Sequence, residues 1–201
     1  MDKIEYLKKL KDCNVWFDYS KSQRNVADKI LYNCILDKDF VTNLKADKDY
    51  SEFVTLWSNA HYHYGIAIEN GLKGLIIKHQ PENIDFEIKG KNVILKNIGG
   101  QAGKTHNLLR LAETSGVFDS KVKLFRYKSD YESLKRVLLH LSDMIKWGAR
   151  YPIPNNLDSI YRFDNAVPSV LIYGFHILDV MNPLFEYFEK ERNKKNTAHN
   201  T

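Results

Sequence analysis

Two side chains near the end of the chain have the chemistry to cut a phosphodiester: Arg192 and His199, in the stretch Arg192-Asn193-Lys194-Lys195-Asn196-Thr197-Ala198-His199. A guanidinium holds a phosphate by paired hydrogen bonds and an imidazole moves a proton near neutral pH, so the two suffice for metal-free cleavage of RNA. Seven residues are about two helical turns, which puts Arg192 and His199 on one face about 10 Å apart if the last helix runs that far. Each chain then holds half a site, and an isologous homodimer with its axis near the C-terminal helices completes it. The charged end, Lys190 to Lys195 with Lys194 between, would line a cleft for the RNA backbone. The competing reading of this stretch is a frayed basic terminus.

Other groupings carry less. Gly99-Gly100-Gln101-Ala102-Gly103-Lys104-Thr105 follows a strand pattern and precedes a helix, but a nucleotide-binding loop needs a glycine where Ile98 stands. A flexible turn and helix start is the plainer reading. Of the seven histidines, only His61 and His63 are close, and two helical positions turn the rings about 200° apart, too divergent to share an ion. His79, His106, His140 and His176 each read as isolated packing or surface residues. Cys13 and Cys34 sit on apolar-patterned segments without metal-ligand spacing, which predicts reduced thiols. Neither a metal nor a cofactor is expected.

The elements that must position these residues are mainly helical. Phe53, Leu56, Trp57, Ala60, Tyr64, Ala67 and Leu75 form one stripe, predicting a helix from Tyr50 to Lys78 opened by a capping box at Asp49 and Glu52 and closed by Pro81. Leu134, Val137, Leu138, Leu141, Met144 and Ile145 form a second, with Ser129 and Glu132 as its capping box and Gly148 and Pro152 at its end. A third runs from Pro168 towards Lys190, bent at Pro183, and its apolar residues from Val170 to Phe188 are expected to serve both core and dimer interface. Residues from Val15 to Leu36 predict a further helix, with a shorter one before it. Residues 84–97 alternate around Lys89-Gly90-Lys91, a hairpin insertion, and Thr105 to Thr114 predict a short helix. The expected fold is one all-α bundle over residues 1–201, with residues 1–48 as an N-terminal helical extension.

Charge and composition narrow the partners. Thirty basic against 25 acidic residues give +5, which admits a polyanionic partner without demanding one. An acidic and basic N-terminus and the lack of a long apolar run predict a cytoplasmic protein with no membrane partner.

Three segments give a resemblance to the HEPN superfamily of helical domains of prokaryotic defence, toxin and RNA-processing systems. Gly65-Ile66-Ala67-Ile68-Glu69-Asn70-Gly71-Leu72-Lys73-Gly74 looks like the family's second core helix, with an acidic residue four before a basic one. Lys104-Thr105-His106-Asn107-Leu108-Leu109-Arg110-Leu111-Ala112 is similar to the Gly-His-x-Leu stretch that opens the next helix, although Lys-Thr separates Gly103 from His106. Arg150-Tyr151-Pro152 resembles a recurring tripeptide. Catalytic members carry an Arg, four to six residues and a His, which Arg192 to His199 matches. The resemblance, closest to abortive-infection proteins of the AbiV type, implies a phage-defence effector: a metal-independent endoribonuclease that arrests translation. It implies Arg192 and His199 as catalytic residues, Asn193 as the group that orients the phosphate, and Glu69 with Lys73 as a supporting pair. Glu69 and Lys73 also read as an ordinary surface ion pair. The alternative function is a non-catalytic helical dimer that inhibits by occupying a phage protein, a ribosome or an antitoxin.

Overall fold

The structure, a computed structural model, describes residues 3–32, 47–90, 92–99, 101–102, 106–148 and 175–194. It is mostly helical. Helix α1 spans Lys3–Leu10 and α2 spans Cys13–Ile30, the latter capped by Asp12, whose carboxylate accepts from the Asn14 N–H. The long helix α3, Asp47–His79, is the axis of the fold. It starts at least two residues before Asp49, so the expected cap at Asp49 lies inside the helix.

Almost every side chain of α3 from Ala67 to Ile77 is buried, which is why its apolar pattern spreads beyond a single stripe. Helix α2 packs antiparallel along it. Ser20 donates to the Ala67 carbonyl at 2.6 Å, Gln23 meets His63 at 2.7 Å, and Phe17 lies against Gly74. Gly71 faces the Phe188 ring so closely that a Cβ would collide with it, so the missing side chain lets the last helix approach. Phe17, Ala27 and Leu31 enter the same core as Ile68, Leu72 and Leu75.

After a 3₁₀ turn at Pro81–Asn83, strands β1 (Ile84–Lys89) and β2 (Asn92–Ile98) pair antiparallel as expected, with Gly90 at φ +60° in the turn. A short β3, Gln101–Ala102, adds a third strand on the far side of β2. Helix α4, Leu108–Thr114, is capped by Asn107. Helix α5, Lys128–Asp143, begins one residue before Ser129, and the expected capping box is replaced by other contacts. Ser129 turns to Asp130 at 3.2 Å and Glu132 pairs with Lys135 at 2.9 Å. A π-helical turn, Met144–Gly148, continues it.

The last helix enters as a π-helical segment, Phe175–Met181, and becomes α6 over Asn182–Asn193, with Pro183 in the first turn of the α-helical part. The expected bend is thus a change of helix type beside the proline. Ile177, Val180, Met181, Leu184, Phe185 and Phe188 are all buried in the chain's own core, so the described part of the stripe expected to reach a dimer interface is already used. The predicted start at Pro168, the Val170 end of the stripe, and Arg150 to Pro152 lie outside the described residues, as does Cys34.

Candidate functional site

Among so many apolar neighbours, α3 also buries an acid and a base. Glu69 and Lys73 lie one turn apart and form an ion pair with side chains only 5% and 9% exposed, so the pair expected from the resemblance is buried rather than a surface pair. The indole of Trp16, on α2, lies 5.9 Å from the Lys73 ammonium, and its own N–H donates to the Leu10 carbonyl at 2.8 Å.

The second oxygen of Glu69 takes a partner that the sequence does not announce. His106 Nδ1 lies 2.9 Å from Glu69 Oε2. The residues after His106 fix its place. Asn107 accepts from the Arg110 N–H at 3.0 Å, and the Leu108 N–H donates at 2.9 Å to Ser142 Oγ on α5. Burial pushes the Glu69 carboxyl up, but the hydrogen bond from His106 and the charge and hydrogen bond of Lys73 outweigh it and hold it below the ordinary carboxylate range. An ionised carboxylate only accepts, so Nδ1 carries a proton towards Glu69, and Nε2 is the nitrogen left to give or take a proton. With Nδ1 turned to a buried oxygen, the 39% exposed His106 side chain offers its other edge to solvent. A carboxylate that fixes the tautomer and orientation of an exposed imidazole is an arrangement suited to proton transfer.

The C-terminal residues are arranged differently. Arg192 gives both Nε (2.7 Å) and Nη2 (2.6 Å) to Asp18 Oδ1 on α2. Helix α6 ends at Asn193, and Lys194 is extended at ψ 116°, so the helix expected to carry Arg192 and His199 on one face stops after one further residue. The reason is a side chain from α3. Lys78, at the end of α3, donates to the carbonyls of Glu191 and, at 3.0 Å, Lys194, capping the helix from outside. Buried Glu191 pairs with Lys194, and His79 Nε2 lies 3.2 Å from its other oxygen without the alignment of a hydrogen bond. Asn193 and Lys190 are exposed, whereas His199 and Lys195 lie outside the described residues.

His140, isolated in the sequence, has a partner in the fold. His61 and His63 diverge as their spacing requires, His63 towards α2, but His61 meets His140 of α5 with Nδ1 and Nε2 3.1 Å apart. The Trp57 ring lies tilted against His61, with ring centroids 3.8 Å apart. Burial and the neighbouring His140 keep His61 well below the usual imidazole range, and burial lowers His140 to about 4.

Among the described residues no group of three or more His, Cys, Asp or Glu is placed to hold a metal ion, and no helix is long and apolar enough to cross a membrane. No family model matches the chain, and no curated protein or solved structure matches it significantly.

Proposed function

We propose that the chain is a phage-defence effector of the abortive-infection kind, which cuts RNA without a metal ion and thereby arrests translation. The observation that carries this reading is the His106–Glu69 pair, a partly exposed imidazole oriented by a buried carboxylate. RNA supplies its own nucleophile, so the protein needs no serine or cysteine beside the base. His106 takes the proton of the 2′-hydroxyl, the 2′ oxygen attacks the adjacent phosphorus, and the bond to the 5′ oxygen breaks to leave a 2′,3′-cyclic phosphate. An acid returns a proton to the departing 5′ oxygen, and His199, catalytic on the resemblance, takes that role. Arg192 neutralises charge on the phosphorane, for which it exchanges its contacts with Asp18 for the phosphate; because α6 packs on the Gly71 side of α3 and His106 on the Glu69 side, about 200° away, the second chain of a homodimer supplies this Arg192. Lys73 keeps Glu69 ionised and so keeps the His106 tautomer fixed.

Cleavage assays with the full chain test this. A 2′-deoxy substitution at the cleaved position should abolish cutting, EDTA should leave it unchanged, and His106→Ala should slow it by about a hundredfold or more. Equal cutting of the deoxy substrate, or loss with EDTA, overturns the mechanism. One observation favours occupancy without catalysis: Arg192, the expected phosphate ligand, is engaged within the protein by Asp18. Growth arrest that survives His106→Ala, Arg192→Ala and His199→Ala together would establish that second reading.

A further inference from the structure

An open cleft of about 360 Å³ lies between α2 and α6, and the chemistry above makes no use of it. Its size falls at the small end of ligand pockets. Lys21, Arg24 and Asn25 stand on its α2 wall, within little more than one turn and on one face of the helix. Phe185 lies under the guanidinium, 4.6 Å from ring centroid to Arg24 Cζ, and Arg24 donates to Asn182 at 2.8 Å, which holds the fork in place along the cleft.

These donors have capacity to spare. A guanidinium has five N–H groups and an ammonium three. Arg24 spends one on Asn182 and faces Asp28 only at 3.5 Å, while Lys21 faces Glu189 at 3.3 Å across the cleft. Asn25 makes no side-chain hydrogen bond to a described residue. Asp28 is committed elsewhere, because it accepts from the Tyr64 hydroxyl at 2.5 Å. Asp28 also borders the cleft and keeps its charge beside Arg24, so an incoming anion must approach from the side of Lys21 and Asn25 and displace Glu189, whose pair with Lys21 is exposed, of the kind that contributes little to stability.

We propose that this cleft binds a phosphate monoester, either a free nucleoside monophosphate or the phosphorylated end of an RNA; only the RNA form rests on the function proposed above. Two cations and an amide on one helical turn match the several oxygens of a terminal phosphate better than the two of a carboxylate, and Arg24 can hold them in pairs. The volume exceeds that of the ion alone. Glu189, released from Lys21, becomes an acceptor for ribose hydroxyls or a base amine, so the displaced acid helps to hold the rest of the nucleotide.

Titration calorimetry on the full chain tests this with AMP, adenosine and a short 2′-O-methyl oligoribonucleotide carrying or lacking a 5′-phosphate. AMP should bind at least tenfold tighter than adenosine, and Lys21→Gln and Arg24→Gln should each remove that preference. Should Arg24→Gln fail to fold, the exposed Lys21 decides alone. A tenfold preference for the phosphorylated oligonucleotide identifies an RNA end as ligand, whereas AMP binding without it identifies the free nucleotide; both support the cleft. Equal binding of AMP and adenosine, or AMP binding unchanged in Lys21→Gln, overturns it. RNA cutting by the Lys21→Gln chain reports only on the nuclease, and AMP binding reports only on the cleft.

Discussion

Helix α3 buries two histidine contacts a little over two turns apart, and they behave in opposite ways. At Glu69 the imidazole of His106 meets a carboxylate that Lys73 keeps ionised, so the cluster is charged, each of its members has a partner, and one edge reaches the surface. At His61 the imidazole meets another imidazole, His140, under the ring of Trp57, with no acid bonded to it, and both rings are held neutral. The His61 Nε2 and Trp57 Nε1 atoms there are buried without a hydrogen-bond partner among the described residues. Histidine does not decide its own role in such a core; the group that meets it does. The acid makes one contact suited to proton transfer, and its absence makes the other a packing element that tolerates only the neutral form.

The largest effect that separates the two regions should come from Glu69→Ala. It strands the Lys73 ammonium in a site 9% exposed, and breaking a buried pair in this way costs about 3–5 kcal/mol. Denaturant unfolding measures it. Replacing both members, Glu69→Leu with Lys73→Met, should recover most of that loss, because no uncompensated charge is left behind. A cost below about 1 kcal/mol for Glu69→Ala would mean that Lys73 reaches solvent and that the cluster is not a buried charge site.

Acid should distinguish the same regions by their windows. His140 titrates near 6.5 when unfolded and about 4 when folded, so the unfolded chain binds its proton first as the pH falls. The contribution of His140 is therefore complete above pH 6.5 and is lost between 6.5 and about 4, about 3 kcal/mol for a shift of this size. Glu69 shifts down from 4.5, so its contribution is present above that value and is lost below it, as the folded carboxylate protonates. His61 and His63 are lowered as well and contribute to the same limb, so His140→Gln should make the upper limb of a plot of stability against pH shallower without removing it, and leave the lower one. An upper limb as steep in this variant as in the parent chain would assign it to groups other than His140.

These two clusters also mark how far the sequence could be read. Helical period located α3, α5 and the last helix because their apolar residues repeat along a single segment, and the hairpin followed from alternation around Gly90. What periodicity cannot carry is contact between segments. His61 and His140 are 79 positions apart, and Glu69 and His106 are 37 apart, so each half was visible while the meeting was not. The resemblance did name both Glu69 and the segment containing His106, but it left them in separate helices without a reason to touch. The ends of helices were harder for a different reason. At Ser129 a good capping residue sits one position inside the helix, and at Asn193 the helix is stopped by Lys78, a side chain 115 residues earlier.

A smaller effect is expected from His140→Ala. It removes the hydrogen-bond partner that the Nδ1 of buried His61 has among the described residues, which costs about 1–3 kcal/mol. Proton-transfer chemistry at His106 should be untouched, so RNA cutting corrected for the folded fraction should match the parent chain. A large loss of cutting with unchanged folding would join the two clusters into one site and break the distinction drawn between them.

The smallest stability effect should come from Arg192, and its size decides how the C-terminal end enters the comparison. The ion pair with Asp18 is well directed, at 2.6 and 2.7 Å, but its side chains are 33% and 56% exposed, so water and salt screen it. A double-mutant cycle of Asp18→Ala and Arg192→Ala should give a coupling of about 0–1 kcal/mol that fades in salt. Removing the acid alone, Asp18→Asn, should then free the guanidinium, and RNA affinity measured by fluorescence anisotropy should rise while Arg192→Ala lowers it. A coupling above about 2 kcal/mol would place Arg192 with Glu69 and Lys73 as a structural ion, and with it the expectation that this residue exchanges Asp18 for a phosphate would fall.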